Sequence, residues 1–329
     1  MWSAKQYFSL ADRVLTGDRL TERDAIAIMT ARGAELSTVL AGAHRIRQKF
    51  FGQDVELCSI INAKSGRCAE NCSFCAQSAH HLTDTPVFPL RSRDEIIAGA
   101  RLAAEEGSHC YGIVTSGTRI SSAEELAVIL DSIREIRSTT SIAPSASLGL
   151  LDHATALALA EAGCETYHHN LETARSYFPE ICSTHAYEDD VDTVRLAKMA
   201  GMKVCCGGIF GLGESAEQRI ELALTIRDLE VDSVPLNFLN PITGTPLEEL
   251  RELSPLDCLR IVALFRYLLP DRRISVCGGR ETNLRDFQSW IFMAGASGTM
   301  TGNYLTTTGR GREADLRMVA DAEMRIRSC

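Results

Sequence analysis

Residues 55–75 read VELCSIINAKSGRCAENCSFC. The first seven form a short apolar, β-prone run, and the stretch then breaks into a polar loop holding Cys68, Cys72 and Cys75 in a C-x3-C-x2-C spacing, with no fourth cysteine close behind. An open doubly wound sheet would place a glycine-rich phosphate fingerprint after its first strand; here a thiol loop stands in that place. Seven further β-prone runs follow, at 109–116, 140–147, 164–170, 203–210, 232–239, 273–279 and 297–305. The helices between them are well punctuated. Ser92 and Glu95 form a capping box for a helix that stops at Gly107, and Ser122 with Glu125 opens the next in the same way. Asp152 caps a helix ending at Gly163, and Gly201 closes another. Eight βα units in series without a linker predict an α/β fold, a single (β/α)8 TIM-type barrel over 51–310. A helical extension over 1–50 should pack outside it, and 311–329 should form a C-terminal helix or tail. In such barrels the βα loops at the C-terminal mouth build the active site. The cysteine loop is the first of them.

Composition narrows the class. Of 329 residues, 45% are hydrophobic and 23% charged, the balance of a globular chain. No apolar run reaches eighteen residues, which argues against a membrane span. The opening MWSAKQYFSLADRVLTGDRL mixes charge with apolar residues at helical spacing and lacks a secretory pattern, so a cytoplasmic location is expected. A net charge of −9 argues against nucleic-acid binding, which needs a basic surface. Twelve cysteines are many for a reducing compartment, where disulfides are disfavoured, so metal ligation or plain burial must account for most of them.

Three thiolates on one tight loop suit three corners of a four-iron cube and leave the fourth iron for an outside ligand. The rival is structural zinc, which wants four closed ligands; His80 or His81 would complete that set. The spacing, with aromatic Phe74 before the last cysteine, resembles the signature of radical S-adenosylmethionine enzymes. That resemblance implies that adenosylmethionine occupies the open iron and that an electron from the cluster cleaves its sulfonium to give a 5′-deoxyadenosyl radical.

Further segments narrow the resemblance. HHNLET (168–173), GGIFGLGE (207–214), PLNFL (235–239) and GTPLE (244–248), together with the cysteine loop, are similar to biotin synthases over about residues 55–308. The resemblance implies a barrel with a biotin-synthase-type C-terminal part. It further implies cofactor contacts from Phe74, Asn170, Glu172, Gly208 and Gly211, and substrate contacts from His168 and Asn237. The family acid at 172 is often aspartate, and the family residue at 168 is an asparagine that reaches the substrate ureido group. Glu172 and His168 are therefore departures. Family members also carry a second, sulfur-donating cluster deep in the barrel, held by cysteines of the second, third and fifth strands and an arginine of the seventh. Cys110 and Cys205 match, whereas Ser145 and Ser275 replace the other cysteine and the arginine. Cys277, on the same strand face as Ser275, and Cys58, about 20 Å below the loop at ~3.3 Å per residue, lead to the expectation of an all-cysteine auxiliary cluster of Cys58, Cys110, Cys205 and Cys277, four-iron being the form weighed against the usual two-iron one. Cys206 should point away from it. Cys164, Cys182, Cys258 and Cys329 are read as structural or incidental. Arg280 and Glu281 either hold a carboxylate or close the barrel by a salt bridge.

The expected activity is conversion of dethiobiotin to biotin by radical sulfur insertion, with adenosylmethionine and an external electron donor, in a homodimer as the family commonly forms. The rivals are another radical enzyme of the same subgroup, of the hydrogenase-maturase or mutase type, and a non-catalytic iron–sulfur or zinc scaffold.

Overall fold

The computed structural model describes residues 2–327. Three helices come first: α1 (Ala4–Leu15), α2 (Glu22–Thr30) and α3 (Gly33–Phe51). Ser3 and Thr21 start the first two with reciprocal capping boxes to Gln6 and Asp24, which satisfy backbone N–H groups that a helix start leaves free. Asp24 is also held in a bidentate pair by Arg13 at 2.8 and 3.0 Å, tying α2 to α1.

The strands then run β1 (Asp54–Lys64), β2 (Cys110–Thr115), β3 (Ala143–Ser147), β4 (Thr166–His168), β5 (Lys203–Cys205), β6 (Gly208–Phe210), β7 (Ser233–Phe238), β8 (Arg273–Val276) and β9 (Gly298–Met300). Neighbours pair in parallel, and β9 returns to β1 through Glu56↔Gly298, Leu57↔Thr299 and Cys58↔Met300. The sheet is therefore a closed barrel. The fifth expected run, 203–210, is one stave in two pieces: β5 meets β7 only at Cys205↔Ser233, and β6 resumes at Gly208↔Leu236. Pro235 lies opposite the break and has no N–H to give the ladder.

The intervening helices are α4 (Arg93–Glu105), α5 (Ala123–Thr139), α6 (His153–Glu161), α7 (Phe178–Ile181), α8 (Tyr187–Met199), α9 (Ala216–Asp228) and α10 (Pro255–Leu268). The Ser92 box forms as expected. At α5 only half of it does: Ser122 accepts from the Glu125 N–H, but the Glu125 carboxylate turns to Lys64 Nζ at 2.8 Å. That ion pair is the stronger offer for the acid, and it pins the end of β1. After β8 come the short α11 (Arg280–Leu284) and α12 (Trp290–Met293), then α13 (Arg312–Asp321). The 311–329 segment is more than a tail, because β10 (Arg325–Ile326) adds itself beside β1 at Asp54↔Arg325. Cys329 lies outside the described residues. Among the described residues no helix is long and apolar enough to cross a membrane.

Two fully buried arginines join the N-terminal helices to the barrel. Arg47 of α3 donates to the carbonyls of Ala296, Gly52 and Asp54 at 2.7, 2.5 and 2.8 Å. Arg266 of α10 donates to Gly295, Leu269, Pro270 and Arg272 at 2.8–3.2 Å. A buried cation is tolerated only when its donors are spent in this way. Replacing Arg47 by methionine keeps the volume and orphans three carbonyls; about 3 kcal/mol of destabilisation is expected. In thermal unfolding this should appear as a fall in Tm of roughly 5 °C or more for a chain of this size.

Candidate functional site

The cysteine loop leaves β1 at the barrel mouth and is held by its own backbone. Ser65 and Phe88 exchange two hydrogen bonds at 3.1 Å, and the Gln77 side-chain oxygen accepts from Ser65 Oγ and Gly66 N. Gly66 and Arg67 both take positive φ, 80° and 53°, which turns the chain so that Cys68 pairs with the returning segment: Cys68 N donates to Gln77 O at 3.0 Å and Ala79 N to Cys68 O at 2.7 Å. A turn from Cys72 O to Cys75 N at 3.0 Å sets the second and third thiols. All three thiols are free and part-buried. The imidazoles that a zinc reading needs are engaged elsewhere, His80 Nε2 with Ala69 O at 2.9 Å and His81 Nε2 with Cys72 O at 3.0 Å. Three free thiols on a pre-formed loop, with both loop histidines committed to backbone carbonyls, fit the open-cornered cube. Burial pushes the Cys75 thiol up to about 11, a proton that iron must displace on binding.

Phe74 and Cys75 look into a cavity of about 650 Å³ that fills the barrel lumen. His168, Asn170, Glu172 and Asn237 line it too, so β4, its exit and β7 bring the expected contact residues into one space. Burial holds His168 neutral, its pKa down to about 4. Glu172 has φ +60° and is pushed up to about 8, first by burial and then by Asp190. Asn170 ties the two turns together, donating to Glu172 at 3.3 Å and accepting from Gly207 N at 3.1 Å. The Asn237 amide is committed to backbone, accepting from Gly278 N at 2.9 Å and donating to Gly208 O at 3.3 Å.

The two glycines shape the wall. A Cβ on Gly208 would strike the carbonyl of Glu172, whose oxygen accepts from Ile209 N at 2.8 Å. Gly211, at φ +87°, and Leu212 give their N–H groups to the Glu214 carboxylate, and Arg219 holds that carboxylate at 2.6 Å. GGIFGLGE is thus a loop braced by its own acid, with Ile209 facing the cavity. Arg280 and Glu281 close the barrel: Arg280 pairs with buried Asp315 of α13 at 2.6 Å, and Tyr304 donates to Glu281 at 3.1 Å.

The deep cysteines require a correction. Cys58, Cys110, Cys205 and Cys277 all line the lower lumen, and Cys206 turns into the core behind it. Yet they do not form the converging donor set. Among the described residues the group whose ligand atoms all lie within 4.8 Å of one another is Glu70, Cys182 and His185. The all-cysteine auxiliary cluster is therefore replaced by a mixed carboxylate, thiol and imidazole set. The contrast is geometric: the deep thiols come from or just after four separate strands spread around the cavity, whereas a loop and a short helix bring Glu70, Cys182 and His185 together. Burial raises the thiols of Cys58, Cys110, Cys205 and Cys277, the last two to about 12. The thiol of Cys182 is instead lowered, by hydrogen bonds from Cys72 and His185.

The mixed set escaped the sequence because its parts are more than a hundred residues apart. Glu70 sits inside the cysteine motif, while Cys182 and His185 follow α7. Docking of that segment on the loop joins them, with Ser73 N to Ile181 O at 2.9 Å and Asn71 bonded to Ser183 N and Oγ at 2.9 and 2.8 Å. A cysteine and a histidine three apart was the available signal.

Comparison with known proteins gives the family and the fold. Residues 63–226 match the Radical SAM superfamily, and residues 235–325 match the Biotin and Thiamin Synthesis associated domain. The chain is 59% identical over 325 residues to a biotin synthase of Geobacter metallireducens, covering 99% of each chain. It is 60% identical over 321 residues to that of Geobacter sulfurreducens, covering 98% of each. In fold it resembles a methylornithine synthase, with TM-score 0.85 at 23% identity over 97% of each chain. A maturase of the [FeFe]-hydrogenase superposes with TM-score 0.84 at 15% identity, over all of this chain and 76% of the other.

The raised acid at Glu172 has a measurable signature. Between its unfolded value near 4.5 and its folded value of about 8 the native state holds a proton that the unfolded state has lost. Its contribution to stability is complete below about 4.5 and is lost as the pH rises through about 8. Glu172→Gln removes that slope. In cluster-free protein, Tm of the variant relative to the parent should climb by several degrees between pH 5 and pH 8.5, read by scanning fluorimetry.

Proposed function

The chain belongs to the biotin synthase family, radical S-adenosylmethionine enzymes that insert sulfur into dethiobiotin, and from that premise we propose how its own residues divide the work. Cys68, Cys72 and Cys75 hold the four-iron cluster at the barrel mouth. When bound, that cluster supplies the electron that cleaves adenosylmethionine and starts hydrogen abstraction from the substrate. The supporting observation is the pre-formed loop with three free thiols, opening on a lumen lined by Asn170 and Glu172.

In this reading Asn170 and Glu172 receive the ribose hydroxyls. Glu172 carries its proton near neutral pH and so serves as a donor as well as an acceptor. Phe74 packs over the cofactor. Gly208 and Gly211 shape the wall so that Ile209 and the backbone approach it closely. His168, neutral and facing the cavity, offers dethiobiotin its imidazole at the position where relatives use an amide. Asn237 sets the facing wall, because its amide already fixes Gly208 and Gly278. Bound cofactor and substrate together would fill the lumen and displace water from it, which protects a radical from quenching. The floor is closed by Glu56 between Arg273 and Arg327, at 3.0 and 2.5 Å. The enzyme takes its electron from an external donor, and it works in the cytoplasm as a homodimer.

Replacing Cys68, Cys72 and Cys75 together by alanine should remove about four irons per reconstituted chain. It should also abolish 5′-deoxyadenosine release under anaerobic reducing conditions. Release at the parent's rate from the triple variant would show that the chemistry lies elsewhere.

A further inference from the structure

The mixed set does not stand alone beside the cysteine loop. Cys182 Sγ lies 3.7 Å from Cys72 Sγ, 3.4 Å from His185 Nδ1 and 4.0 Å from Glu70 Oε2, while His185 Nδ1 and Glu70 Oε2 are 2.7 Å apart. Two thiolates on one tetrahedral zinc-sized ion stand ~3.8 Å apart, and a thiolate and an imidazole nitrogen ~3.6 Å, given bonds of about 2.3 and 2.0 Å. The two sulfurs are already at that spacing, and so are Cys182 and the imidazole. Cys72 stands outside the three converging donors and reaches them through Cys182, so closing the set takes a turn of Cys72 toward His185 and an outward swing of the carboxylate.

The outer partners are those of a metal ligand rather than of a chance core histidine. His185 Nε2 meets Asp190 at 3.3 Å, and Asp190 also bonds His169 Nε2 at 2.8 Å. A carboxylate behind an imidazole fixes its tautomer and aims its other nitrogen at the ion. Glu70 is steadied by Thr118 Oγ1 at 2.5 Å and by Thr184. Cys182 is buried, and Glu70 and His185 are nearly so.

We propose that Glu70, Cys182, His185 and Cys72 form a tetrahedral site for one thiophilic divalent cation of the zinc class, and that this ion competes with the iron–sulfur cluster for Cys72. Cys72 is the shared residue, and a thiolate in a closed tetrahedral set is not free to take an iron corner. The chain then has two exclusive metal states. In one, the divalent ion holds the loop against the segment after α7. In the other, Cys72 has turned to the cluster with Cys68 and Cys75. The site rests on the distances above; the exclusion rests in addition on the assignment of Cys72 as a cluster ligand.

The test uses full-length, metal-free protein under anaerobic conditions, titrated with zinc against a chromophoric chelator and with cobalt(II) as a spectroscopic stand-in. The parent should bind one ion per chain, with a tetrahedral cobalt spectrum and thiolate charge-transfer bands. The Cys68→Ser/Cys75→Ser variant should keep that ion. Cys182→Ser should weaken it by more than ~100-fold, beyond the 10–100-fold of outer-shell changes, and Asp190→Asn by about 10-fold without removing any ligand. Circular dichroism of each variant separates lost binding from lost folding. One equivalent of zinc should delay iron uptake by the parent and leave that of Cys182→Ser unaffected. Zinc binding that survives Cys182→Ser but is lost in Cys68→Ser/Cys75→Ser would place the ion on the motif alone and overturn the proposal. Full affinity in Cys72→Ser would overturn the sharing. Failure of the parent to take up iron without zinc would count against the cluster assignment and not against the divalent site.

Discussion

The closure of β1 onto β9 is the constraint on which the molecule depends. β1 supplies the floor through Glu56, a deep wall through Cys58 and, eleven residues after its start, the loop that carries the three motif thiols. Closure demands Gly298, because a Cβ there would lie 2.6 Å from Ser275 Oγ and 2.9 Å from Glu56 O. It also demands that the carbonyls at the foot of the seam be satisfied away from water. Arg47 and Arg266 do this with guanidinium donors directed at main-chain oxygens on both sides. Two charges taken out of water are costly unless every donor is used. Here the N-terminal helices are part of the barrel's closure.

With the seam fixed, the mouth is built from chain conformations that cost free energy. Glu172 is a non-glycine residue in the left-handed region, worth of order 1–3 kcal/mol, and it persists because the wall over-determines it. Its carbonyl is held by Ile209 N and leaves no room for a side chain at 208. Its carboxyl is desolvated and faces Asp190, whose own charge is kept by His169 and His185. Asp190 links the lumen wall and the mixed donor set through one buried residue of α8.

How much of this the sequence discloses depends on how local each feature is. Eight βα repeats and the capping residues Ser92 and Asp152 act within a few positions, so periodicity and punctuation suffice to read the barrel. The three motif cysteines are legible for the same reason. The broken fifth stave is set by Pro235 on the neighbouring strand, and the missing half-box at α5 by Lys64 of β1. Both are tertiary overrides of local patterns. The largest error is of the same kind. Cysteines counted by strand face pointed to the deep lumen, whereas the converging donors lie where a loop and a short helix meet, and Cys182 looked incidental until α7 was docked. Arg280 was ambiguous because its partner, Asp315, belongs to a helix thirty-five residues on.

The pairing of β10 with β1 bears on how the polypeptide is made. Arg325 bonds Asp54 across 271 positions of chain, and one edge of β1 has no neighbour until residues 298–300 and 325–326 exist. At ~5–20 residues per second, translation takes roughly 15–55 s to cover that distance. Throughout that interval a nascent strand that carries Val, Leu and Ile, with three oxidisable thiols just beyond it, shows unpaired amides to its surroundings. The interval falls before the fold can pair that edge, so the newborn chain is the form in which the strand is open to association with other chains.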